Sequence, residues 1–301
     1  MKSIFLFTMI LSVSFCILFE VQTFCQEIAD ESCGLPEESS IGKGTTAYSW
    51  PYYPKDATLK ALVIFVKFRD DNFDLSPHTD LWPHDLAGLP SWAPNIISSS
   101  VLPSYSNPSI SGYFDEMSMG QFQLIGDVYP QLYVPPNDQD YYFTSNGRHI
   151  GYLVEEILTA IDPNVNFANY DNLSPNGYTA DGIVDMIFIC FRFFDTVNLG
   201  IYSKKCSGIC GLTGNKQEFS GGKKYITLDG KKIYANIPDG TMLASGTLQQ
   251  EVLCPHAIGI NVHEYGHWLF GLVHYEKIGY WGLMDGSAPG PTCAFERAKL
   301  G

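Results

Sequence analysis

His263-Glu264-Tyr265-Gly266-His267 is the segment that leaves this chain the fewest structural choices. Two imidazoles four residues apart share one side of an α-helix, about one turn apart, where they can take two corners of a zinc tetrahedron. Ile258, Val262, Tyr265 and Leu269 give the same segment an apolar face compatible with a helix. Glu264 then stands beside a metal-bound water without needing to ligate. A bound zinc lowers the pKa of that water to about 7, and the carboxylate can take its proton and later deliver it to a leaving amine.

The residues that follow extend the pattern. Gly271 can let the helix end and the chain turn back, so that His274 offers a third ligand. Glu276 and Asp285 are the alternatives, and His256 is less suited because it precedes the helix. The bland reading of His274 is a histidine favouring the negative end of a helix dipole. Further on, Trp281-Gly282-Leu283-Met284-Asp285-Gly286 has the composition of a tight turn carrying a methionine. Together these features resemble the metzincin plan of zinc endopeptidases, in which an extended zinc-binding helix and loop is followed by a Met-turn beneath the metal.

A closer resemblance is to the M6 family of secreted metallopeptidases, the immune inhibitor A group. It rests on the motif above and on three further stretches: Ser111-Gly112-Tyr113-Phe114-Asp115-Glu116-Met117-Ser118-Met119-Gly120, the pair Tyr170-Asp171-Asn172 and Asp181-Gly182-Ile183-Val184-Asp185, and the final Phe295-Glu296-Arg297-Ala298-Lys299-Leu300-Gly301. The match runs over roughly residues 58 to 301. It implies an α+β, metzincin-like catalytic domain with a mixed twisted sheet and an active-site helix. The implied activity is zinc-dependent endopeptidase cleavage of protein or peptide substrates, with His263 and His267 as ligands, Glu264 as general base and Met284 under the metal. One departure stands out. The family places its glycine and third ligand three and six residues after the second histidine, at Phe270 and Val273 here, whereas Gly271 and His274 lie one place further on. The alternative reading is a catalytically degenerate, metzincin-like extracellular binding protein, against which an intact Glu264 argues.

The rest of the sequence suits export. Lys2 precedes a nearly unbroken apolar run from Ile4 to Phe19, about the length of a signal-peptide core and short of a membrane span, so residues 1–25 read as a signal peptide. Residues 26–57 read as a leader or propeptide, and 58–301 as the catalytic domain. Secretion makes disulfides expected among Cys33, Cys190, Cys206, Cys210, Cys254 and Cys293, with Cys206 and Cys210 the simplest local pair. Cys33, in Ser32-Cys33-Gly34-Leu35-Pro36-Glu37, resembles the cysteine switch of matrixins but lacks the arginine that usually precedes it. A structural disulfide is the favoured reading there. Thirty-two acidic against eighteen basic side chains give a net charge of −14 with no basic block, which argues against a nucleic-acid partner. No stable membrane insertion is expected once the signal is removed. Asp171, Asn172, Asp181 and Asp185 gather oxygen ligands around a glycine-containing turn and are candidates for calcium, although an acidic turn entering a strand explains them equally well.

Periodicity supplies the elements. Leu59–Phe68 and Asp185–Phe194 read as buried strands, Ser109–Met119 as a short helix, and the apolar positions of Arg148–Ile161 as an amphipathic helix stopped by Asp162-Pro163. Gln121–Val134 is expected to form two strands broken near Gly126 and Pro130, and Lys224–Ile237 a hairpin around Asp229-Gly230. The proline-rich stretch after Phe68, up to about Pro108, reads as a surface excursion. Tyr141, Tyr142 and Phe143 read as packing residues.

Overall fold

A computed structural model describes residues 56–72, 82–100, 109–144, 147–148, 150–174, 177–192, 211–212, 219–234, 241–245, 258, 261–262, 265–266 and 283. Strands and helices are mixed around a small, mostly parallel sheet, an α+β arrangement. The central strands are β1 (Thr58–Val66) and β5 (Met186–Phe191), joined in parallel register with Ala61 opposite Met186 and Val66 opposite Phe191. On one side β1 pairs in parallel with β2 (Gln123–Val128), and on the other β5 pairs in parallel with β9 (Thr241–Ser245). The two-residue strand β6 (Gly211–Leu212) adds antiparallel to β9 and completes the order β2-β1-β5-β9-β6.

A parallel sheet must be covered on both faces, and the near-continuous apolar runs of β1 and β5 are what such a position requires. Successive side chains alternate between the faces. Leu59, Ala61, Val63 and Phe65 of β1 join Met186, Phe188 and Cys190 of β5 in one core cluster, while Leu62, Ile64 and Val66 join Ile187, Ile189 and Phe191 in the other. The second cluster is roofed by α3 (Ile150–Ile161), after α1 (Ile110–Met117) and the short α2 (Gln139–Tyr142) in the chain. Leu153, Val154, Ile157, Leu158 and Ile161 of α3 are all buried there, the spacing that one helix face demands. The hairpin of β7 (Tyr225–Leu228) and β8 (Lys231–Tyr234) adds Ile226 and Ile233. Its two-residue loop has Asp229 at φ 50° and Gly230 at φ 73°, the doubly left-handed turn that matches strand twist. A further small hairpin joins β3 (Phe143–Thr144) to β4 (Gly147–Arg148).

The first cluster is built differently from the expectation. The stretch read as a surface excursion sends Trp82, Trp92, Ala93, Ile96 and Ile97 into the core. Phe65 has both indoles edge-on at 5.4 Å, and the indoles meet each other at 5.9 Å. Among its described residues this proline-rich segment forms only the 3-10 turn Ala93–Asn95, yet burial of large aromatic area holds it against the sheet. A buried ion pair ties the same region down: Arg192, just after β5, meets Asp71 at 2.5 Å and donates from Nε to the Trp82 carbonyl at 2.7 Å.

The expected break at Gly126 is also corrected. Gly126 lies inside the continuous strand β2, opposite Ala61, and a Cβ there would stand 2.1 Å from the Ala61 carbonyl oxygen. The glycine answers a close approach of backbones and does not end the strand. Tyr133 then forms an isolated parallel bridge to Val66 in place of a second strand. The helix expected from Ser109 is α1, with the Ser109 hydroxyl accepting from the Gly112 amide as an N-cap.

Candidate functional site

The segment bearing the histidine motif is described at five positions, Ile258, Asn261, Val262, Tyr265 and Gly266, all with helical backbone. Ile258, Val262 and Tyr265 are buried in the cluster that holds the two tryptophans and α1. At about 100° per residue these positions and Asn261 share one side of a helix. The Tyr265 ring lies 4.9 Å from Phe114 of α1, nearly perpendicular, and stacks over Phe122 at 6.2 Å. Burial, reinforced by the Asp185 carboxylate, pushes its phenol well above the ordinary value, so it remains protonated. Leu283, in the turn expected to carry the methionine, is fully buried in the same cluster. His263, Glu264, His267, His274 and Met284 lie outside the described residues, as do the alternatives Glu276, Asp285 and His256.

A polar contact joins this segment to the sheet. Asn261 is completely buried, and its Nδ2 approaches the sulfur of Cys190 at 3.6 Å. Cys190 was expected to be available for disulfide formation; it is instead a buried thiol near the C-terminal end of β5. The reason is its position, because the flanking strands present Phe65 and Ala244 in register and no cysteine. Cys33, Cys206, Cys210, Cys254 and Cys293 lie outside the described residues, as do residues 1–55, which hold the expected signal peptide and most of the expected leader.

The four oxygen-bearing residues of the calcium expectation do converge. Asp171 accepts from the Asp181 and Gly182 amides, both at 3.0 Å, and takes an ion pair from Lys231 at 2.7 Å. Asp185 Oδ2 accepts from the amides of Asn172 and Leu173 at 2.7 and 3.0 Å, while Asn172 receives the Lys60 amide. Asp181 accepts from Ile183, although burial pushes its carboxyl above the usual range. These oxygens organise a turn that delivers the chain into β5. Among the described residues no group of three or more His, Cys, Asp or Glu side chains is arranged to hold a metal.

The packing reading of the tyrosines holds only for Tyr142, which is buried; Tyr141 is 63% exposed. On the same side of the molecule, Tyr152, Glu155, Glu156 and Thr159 line a cleft that the sequence reading did not single out. The available signal was the polar stripe of α3, which repeats at three- and four-residue spacing opposite its apolar stripe. No helix among the described residues is long and apolar enough to cross a membrane. No protein-family model matches the sequence, and no curated protein matches it significantly.

Proposed function

We propose that this chain is a secreted, zinc-dependent endopeptidase of metzincin type. The observation that carries the reading is the burial of Ile258, Val262, Tyr265 and Leu283 in one core cluster against the sheet. Two segments the sequence reading joined functionally, the histidine-motif helix and the methionine turn, share that packing. Ile258, Val262 and Tyr265 face the core, and we take the 3.6-residue period to continue through the motif, so that the proposed ligands at 263 and 267 belong to the opposite side of the helix. That is the side a metal and a substrate require. The mixed sheet beneath the helix also suits the metzincin resemblance.

Donor chemistry fits zinc: two neutral imidazoles at i and i+4, with His274 as the proposed third ligand. When bound, zinc supplies a Lewis acid that acidifies water and polarises the scissile carbonyl. Glu264 removes the proton from the attacking water and returns it to the departing amine, so that peptide hydrolysis needs no covalent acyl intermediate. Tyr265 and Asn261, both buried, anchor to the sheet the segment in which those groups are proposed.

Metal analysis of the purified chain tests the ligand set. The wild type should carry one zinc per chain, and His263→Ala or His267→Ala should lose it together with casein cleavage. Unchanged zinc content in His274→Ala would remove that residue from the site.

A further inference from the structure

The face of the sheet opposite the histidine-motif helix carries an open cleft of about 750 Å³ between α2, α3 and the turn at Ser220. Its walls are aromatic and acidic. Tyr141 is 63% exposed and Tyr152 is 41% exposed, while the ring of Tyr142 stands perpendicular to that of Tyr141 with centroids 5.1 Å apart. Glu155 and Glu156 also line it, and no lysine or arginine does among its described lining residues.

The two carboxylates are held in place. Glu156 accepts from the hydroxyls of Tyr142 at 2.7 Å and Tyr133 at 3.2 Å, both through Oε1. Burial and the Glu156 hydrogen bond push Tyr142 up to about 12, so its hydroxyl stays a donor at neutral pH. Glu155 accepts from the Ser220 amide at 2.6 Å and meets Lys223, at the rim, at 3.2 Å. Among the described residues, one lysine against two carboxylates leaves negative charge beside exposed aromatic side chains, on a chain of net charge −14.

We infer that this cleft, lined by Tyr141, Tyr152, Glu155 and Glu156, binds a basic side chain of a peptide, arginine in particular. A planar guanidinium stacks on aromatic faces while its edge donates to carboxylates, which is the combination these walls offer. A neutral apolar occupant would bring no counter-charge to the Glu156 carboxylate, and an anion would be repelled. Because the cleft lies across the sheet from the motif helix, occupancy there is independent of the proposed hydrolytic chemistry.

The test is a ligand-observed NMR titration of the full-length mature chain with Nα-acetyl-arginine methylamide, beside its neutral counterpart Nα-acetyl-citrulline methylamide. Arginine should bind, citrulline should bind at least about five-fold more weakly, and binding should weaken as salt rises. Tyr141→Ala and Tyr152→Ala, both at exposed positions, should each weaken arginine binding about three- to ten-fold. Equal binding of the two probes would overturn the inference, as would unchanged binding in both tyrosine variants. Preferential binding of a neutral oligosaccharide such as maltohexaose at these tyrosines would overturn it too. None of these readouts depends on peptidase activity, so failure here and failure of the zinc proposal are separable.

Discussion

Arg192 shows how one side chain can knit distant parts of this chain. Its guanidinium is 1% exposed, donates to the Trp82 carbonyl and pairs with Asp71, whose side chain is fully buried. Such a pair adds little compared with a well-packed apolar substitute, but removing one partner strands a charge in the core. Arg192→Ala should therefore lower unfolding free energy by about 3–5 kcal/mol, read from the urea midpoint. A midpoint within error of wild type would show that Asp71 is satisfied without it. Nothing local in the sequence announces this contact, because its partners are 121 residues apart and each looks like an ordinary turn residue. The same holds for Asn261 and Cys190, 71 residues apart, whose meeting beneath the motif helix only the fold brings about. By contrast the proposal for His263, Glu264 and His267 can be made from sequence, because the chemistry it invokes depends on spacing within a single turn.

At the scale of elements, what repeats locally could be read and what depends on a partner could not. The strands β1 and β5, the helices α1 and α3 and the β7–β8 hairpin follow from period, cap and turn residues. Trp82 and Trp92 belong to no periodic segment, so their burial against Phe65 is visible only once β1 has a neighbour. Gly126 was misleading because a glycine that breaks a strand and one that admits a close backbone look alike in sequence. The join between α3 and the segment leading into β7 depends on Glu155. Burial pushes its carboxyl up, but hydrogen bonds from Ser220 and Lys223 outweigh that and hold it below the usual value of 4.5. A depressed carboxyl favours the folded state above its unfolded value, and that contribution fades as pH falls through the lower folded value. Glu155→Gln should therefore flatten the loss of stability that the wild type shows below about pH 4.5. Superimposable urea midpoints against pH for the two proteins would contradict this.

Across the whole molecule, the sheet separates two surfaces of different character. One face is filled by the tryptophans, α1 and Ile258, Val262 and Tyr265 of the segment that bears the histidine motif. The other, roofed by α3 and the β7–β8 hairpin, carries the aromatic, acidic cleft. The mixed class was legible from the irregular order of strand and helix signals, while the strand order β2-β1-β5-β9-β6 was not, since parallel neighbours leave no turn signature between them. The account depends most on Glu264 acting on a water held by the histidine pair. Casein hydrolysis by the wild type and by Glu264→Gln, compared at equal zinc content, measures that directly. The account predicts a fall in turnover of about 10²–10⁴-fold with zinc retained, and loss of wild-type activity on chelation. Full activity in Glu264→Gln, or wild-type cleavage that survives complete zinc removal, would contradict it.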